Sequence, residues 1–202
     1  MSDGGGTGYR ALVGELAGLV RLANTALGGA TAVLTDPADG GAGIPAAEKA
    51  LAELLTRVEE DAAATPGGRA GIVVGVHVGC EVEALGRLAQ RLLEAAWARQ
   101  EREPFDERLR APLVGIADAA LDLVARSADA LESGLPEEVA DLLTRLHELG
   151  QRQRLLYELL LGEQGADPVD VTDLVLLSCC YQQCADRAGA IARHAGLFSH
   201  AV

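Results

Sequence analysis

Gly71-Ile72-Val73-Val74-Gly75-Val76-His77-Val78 is the stretch on which the fold turns. Taken alone, its β-branched residues suggest a short buried strand. The residues beyond it are patterned as helix: Val82, Leu85, Leu88, Leu92, Leu93 and Ala96 continue one face at the spacing of an amphipathic helix. Extending that face back through the ambiguous stretch predicts one long helix from about Arg69 to Arg102, and with it an all-α chain.

The same periodicity recurs outward in both directions. Leu12, Leu16, Leu19, Ala23, Ala26 and Leu27 predict a first helix from about Tyr9 to Leu34, ended by Asp36-Pro37-Ala38-Asp39-Gly40-Gly41. A second helix comes after Ile44-Pro45 on Leu51, Leu54, Leu55 and Val58, and Thr65-Pro66-Gly67-Gly68 turns the chain into the third. After Glu103-Pro104-Phe105 a fourth is expected near Asp106 to Leu131. Ser133-Gly134-Leu135-Pro136-Glu137-Glu138 reads as a stop followed by a helix start, with Pro early and acids in the first turn. The fifth carries Val139, Leu142, Leu143, Leu146 and Leu149, then Leu155, Leu156, Leu159 and Leu160, and the sixth runs from about Val169 to Ala195. The order is long, medium, long, repeated.

Sliding the chain by 99 residues places Val74 on Asp173, Val76 on Val175, Val78 on Leu177, Cys80 on Cys179, Gly86 on Ala185, Ala89 on Ala188 and Leu92 on Ile191. Identities are few, but with the shared helix order they predict two tandem, pseudo-symmetric three-helix bundles, six helices in all. The expected division is a disordered glycine-rich start over residues 1–7, a first repeat over 8–102 and a second over 103–202.

Composition agrees with helices: aromatic residues are only 3% of the 202, and hydrophobic residues 49%. The formal net charge is −13, from 17 Lys+Arg against 30 Asp+Glu, with Lys49 the single lysine. So acidic a chain is repelled by phosphate backbones and anionic lipid, which argues against nucleic acid or a membrane surface as partner. No uninterrupted apolar run has the roughly 18–20 residues that a bilayer span needs. Met1 to Gly6 shows no basic segment leading into an apolar one, so no signal peptide is expected. The chain is therefore expected in the cytoplasm, with Cys80, Cys179, Cys180 and Cys184 reduced.

The third and sixth helices carry a more specific signal. The third has Gly68-Arg69-Ala70, an apolar run, then Glu81-Val82-Glu83-Ala84-Leu85-Gly86-Arg87-Leu88-Ala89. The sixth has Val169-Asp170-Val171-Thr172-Asp173-Leu174, then Tyr181-Gln182-Gln183-Cys184-Ala185-Asp186-Arg187-Ala188. Together with the doubling and the length, these stretches resemble the PhoU family of phosphate-signalling regulators over nearly the whole chain. The likeness is specific in the sixth helix and looser in the third. It implies a protein that bridges a phosphate ABC transporter's ATPase and a sensor histidine kinase, restraining the phosphate-starvation response. A homodimer through helical faces is a further implication.

The resemblance also implies multinuclear iron or zinc sites, held by a carboxylate and an Asp four residues later on each of these two helices. Residues i and i+4 share a helix face, so such a pair presents two hard oxygen ligands together. Here the pairs read Glu83 with Arg87 and Gln182 with Asp186. Each keeps one acid, and Glu83 is placed for an ion pair with Arg87. No metal is therefore expected, with Glu83 and Asp186 as residual motif positions.

Other constellations are weaker. Cys180 and Cys184 stand one turn apart, with Cys179 beside them and Cys80 at the repeat-equivalent place, the spacing of a thiolate site for a soft metal or a redox sensor; His77 and Glu81, also one turn apart, could bind a metal with Cys80 or Cys184. Free cysteine in a buried helix more often serves as a small hydrophobe. His147, His194 and His200 show no partner set, the last two falling in an end expected to fray. Arg145, Arg152 and Arg154 around Gln151 and Gln153 could bind phosphate, but a solvated helix face is the simpler reading. Ser127, Ser133, Ser178 and Ser199 have no nucleophile motif around them, and no phosphate-binding glycine loop is present. The leading expectation is a PhoU-like, non-enzymatic regulator. The alternatives are a metal- or redox-responsive helical protein, and a diverged scaffold without a phosphate role.

Overall fold

A computed structural model describes residues 4–35, 43–61, 68–99, 102–163 and 165–198. Six helices account for nearly all of them: α1 (Gly4–Thr35), α2 (Gly43–Asp61), α3 (Gly68–Arg99), α4 (Glu107–Ser133), α5 (Pro136–Gly162) and α6 (Pro168–Phe198). No strand occurs among the described residues. The breaks expected at 36–41 and 65–67 lie outside them, as do Ser199 and His200. α1 begins at Gly4, so four residues of the expected disordered start are helical.

The stretch from Gly71 to Val78 is helix. Val74 and Val78, one turn apart, are fully buried, whereas Ile72, Val73 and Val76 are exposed. A strand would have alternated its faces at every residue, and here the period of 3.6 wins over β propensity because Val74 and Val78 continue the buried face of Val82 and Leu85.

Local chemistry sets several helix ends. The Asp106 carboxylate accepts from the Arg108 amide at 2.9 Å and caps α4. Gly134 closes that helix in the left-handed conformation, φ 64°, its N–H donating to the Ala130 carbonyl. Pro136 opens α5 with Glu137 and Glu138 in its first turn, and Asp167 caps α6 by accepting from the Val169 amide.

Among the described residues, α2 packs only on α1 and α3, and α5 only on α4 and α6. The halves meet where α1 lies on α4 and α3 lies on α6. The result is two three-helix bundles sharing one continuous apolar core. The 99-residue offset maps buried positions of α3 onto buried positions of α6: Val82 on Tyr181, Leu85 on Cys184, Ala89 on Ala188, Leu92 on Ile191 and Ala96 on Ala195.

Small residues bring α1 and α2 close. A Cβ added at Gly29 would sit 2.7 Å from the Gly43 carbonyl oxygen and 3.0 Å from Ala47 Cβ. α1 is long and apolar enough, by length and composition, to cross a bilayer, and half of its apolar stretch is buried in the fold. Its position against α2, α3 and α4 accounts for that character, since a helix that is apolar around most of its circumference belongs in a core.

Candidate functional site

α3 and α6 run antiparallel along the seam between the halves, so residues far apart in sequence meet in a fixed register. His77 stacks on His194, their ring centroids 4.7 Å apart. Glu81 pairs with Arg187 at 3.1 Å. Nearer the other end, Arg99 reaches Asp170 at 2.7 Å and Asp173 at 3.0 Å, and Arg102 reaches the same two carboxylates at 3.0 and 2.9 Å. The Arg99 guanidinium lies 3.7 Å over the Phe105 ring and donates to the Glu103 carbonyl. Only 10% of the Arg99 side chain is exposed, so this is an inward-facing ionic cluster that ties α3 to α6.

The residues of the sequence expectation are dispersed along this seam. Glu83 is exposed and pairs with Arg87, though at 3.5 Å. Gln182 donates its side-chain amide to Asp186 at 3.0 Å and leaves its Oε1 buried without a partner. His77 is engaged with His194, and Glu81 with Arg187. Burial holds the His194 imidazole below its ordinary pKa, and the neighbouring His77 adds to that effect.

Cys184 is buried, and burial pushes its thiol pKa up. Cys180 shifts the same way for the same reason, with Arg91 opposing. A raised thiol pKa keeps sulfur protonated, the opposite of what a thiolate ligand or a reactive thiol needs. Cys179 lies 3.2 Å from the Tyr157 hydroxyl, and Cys80 is exposed. Among the described residues no three of His, Cys, Asp and Glu gather as a ligand set.

The two carboxylate pairs that the resemblance implies therefore do not fit a polynuclear cation site. Each has lost one acid. A guanidinium stands at Arg87, and both surviving carboxylates are already hydrogen bonded by a neighbour on their own helix. The orphaned acceptor at these positions, Gln182 Oε1, is neutral.

Two cavities line the same seam. One, of about 420 Å³, is lined by Ala95, Ala98, Leu176, Leu177 and Cys180 together with the charged Arg91, Glu94, Arg99, Arg102 and Asp173. The other, of about 390 Å³, lies between Arg87, Gln90, Arg91 and Glu94 on α3 and Gln183 and Arg187 on α6. The fifth-helix arginines are elsewhere: Arg145 pairs with Asp141 at 2.8 Å, and Arg152 donates to the Gly115 carbonyl.

No family model matches the chain, and no curated protein sequence matches it significantly. Solved structures do. PhoU from Pseudomonas aeruginosa superposes with a TM-score of 0.75 at 13% identity, covering 98% of this chain and 99% of that one. The chain has the PhoU fold. A protein from Shewanella oneidensis MR-1, described as a PhoU-like phosphate regulatory protein, gives a TM-score of 0.72 at 14% identity, with 96% and 100% covered. The all-α, six-helix architecture is thus shared from end to end, while nearly seven-eighths of the side chains differ. The ionic cluster of Arg99, Arg102, Asp170 and Asp173 and the His77–His194 stack join the two halves of this chain at the α3–α6 seam. Sequence reasoning missed both, because neither half of either contact carries a local motif.

Proposed function

We propose that this chain is a cytoplasmic regulator of phosphate uptake and phosphate-starvation signalling that acts through protein–protein contact and not by catalysis. The observation that carries this reading is the superposition on PhoU over essentially the full length of both chains. A partial match would leave room for a reused helical hairpin; an end-to-end match retains both bundles and the seam between them. The sixth-helix stretch from Val169 to Leu174, with Tyr181, Ala185, Asp186 and Ala188, supports the same reading from sequence.

Regulation of this kind needs a surface that binds one state of a partner more tightly than another, since only differential affinity shifts an equilibrium. The partners in this reading are the ATPase of a phosphate transporter and a phosphate-responsive sensor kinase. Deletion of the gene in its own host, with a phosphate-starvation promoter as reporter, tests the role. The expected result is reporter expression in phosphate-replete medium, reversed by the gene in trans. A reporter that stays silent when phosphate is abundant and responds normally when it is scarce would overturn the reading.

A further inference from the structure

The groove of about 390 Å³ between α3 and α6 lies beside the positions where the resemblance implies a cation, yet guanidinium side chains crowd its lining. Arg87, Arg91 and Arg187 line it, against one carboxylate, Glu94. Arg187 is paired with Glu81 at 3.1 Å and Arg87 more loosely with Glu83 at 3.5 Å, so Arg91 is the guanidinium of the lining left without an ion pair among the described residues. We propose that this groove binds a phosphate-class dianion: a phosphate group, free or carried by a small organic molecule.

The side chains are disposed for that task. Arg187 is held by Glu81 at 3.1 Å, which fixes its stem and leaves guanidinium hydrogens for a second acceptor. Arg87 has only the long 3.5 Å contact to Glu83. Among the described residues, Arg91 makes no hydrogen bond and no ion pair. Gln90 and Gln183 add neutral amide donors to the lining. Gln90 donates to Glu94 at 3.1 Å, which gives that carboxylate a partner on its own helix other than Arg91. Guanidinium matches a tetrahedral oxyanion through paired N–H donors. The volume exceeds what one phosphate group fills, so an organic phosphate or a pyrophosphate is accommodated.

The inference stands on the groove alone; the regulatory reading can hold with the groove vacant, and the assay needs no partner protein. Isothermal titration of the full-length chain with inorganic phosphate, pyrophosphate and ribose 5-phosphate, at constant ionic strength set with sodium chloride, tests it. The expected result is saturable one-to-one binding of at least one probe, weakened about tenfold or more by Arg91→Gln. Preference for inorganic phosphate would identify the free ion as the ligand class, and preference for pyrophosphate or the sugar phosphate a carried group. Arg91→Gln removes no hydrogen bond or ion pair among the described residues, so its melting temperature should match wild type. Arg87→Gln provides a second variant that leaves the Glu81–Arg187 pair in place. Three results would overturn the proposal: no saturable binding of any probe, binding that both variants leave unchanged, or stoichiometric zinc binding abolished by Glu83→Gln or Asp186→Asn.

Discussion

Replacing Arg99 by Met would remove a charge from the α3–α6 seam while keeping most of the apolar stem. Arg99 donates to Asp170 at 2.7 Å, to Asp173 at 3.0 Å and to the Glu103 carbonyl at 2.8 Å, with only 10% of its side chain exposed. Stranding a buried charge by deleting its partner costs about 3–5 kcal/mol. Here Arg102 stays within 3.0 Å of both carboxylates, so part of the compensation survives. The expected loss is about 2–3 kcal/mol, or about 4–12 °C in melting temperature for a chain of this size. Chemical denaturation of Arg99→Met, Asp173→Asn and the double variant gives the coupling, expected at about 1 kcal/mol or more. A loss under about 0.5 kcal/mol, the scale of a surface pair, would refute the view that this cluster locks the halves together.

Tyr181→Phe removes the buried hydrogen bond that the Tyr181 hydroxyl donates to Thr31 Oγ1 at 3.1 Å, joining α6 to α1. It should cost about 1–2 kcal/mol by denaturant titration, and a neutral result would mean the bond is not formed in solution. Gly29→Ala drives a methyl against the Gly43 carbonyl, so α1 and α2 must separate, with an expected loss of about 1–3 kcal/mol; a stabilised variant would contradict the close approach. His194 has its folded pKa below the ordinary value. Above about pH 6.5 neither state carries the proton, and below it the unfolded chain protonates first, so stability falls until the pH passes under the folded pKa. Wild type should therefore lose more melting temperature than His194→Gln between about pH 7.5 and pH 5.5, and equal losses would remove His194 from the account.

The helices were legible in the sequence because their apolar positions repeat at the helical period, and the internal repeat because buried α3 positions recur 99 residues on in α6. Where the repeat breaks, chemistry explains it. Val74 is buried, but its counterpart Asp173 is held by Arg99 and Arg102, which lie on the opposite helix and beyond it. The ion pair of Glu83 with Arg87 was legible too, since i and i+4 share a face. The His77–His194 stack, the Glu81–Arg187 pair and the arginine-lined groove were not. Each depends on the antiparallel register of α3 against α6, which the core packing of the whole chain sets and no local spacing encodes. His194, expected to fray, is instead held within α6 by that register.

The central claim is regulation by contact, and direct binding tests it most plainly. Purified full-length chain would be titrated, by biolayer interferometry, against the immobilised phosphate-transporter ATPase and the cytoplasmic part of the phosphate-responsive sensor kinase from the same genome. The account predicts saturable binding to at least one of them, with an affinity that changes when the partner's nucleotide state changes. Failure to bind either protein in any nucleotide state would contradict it.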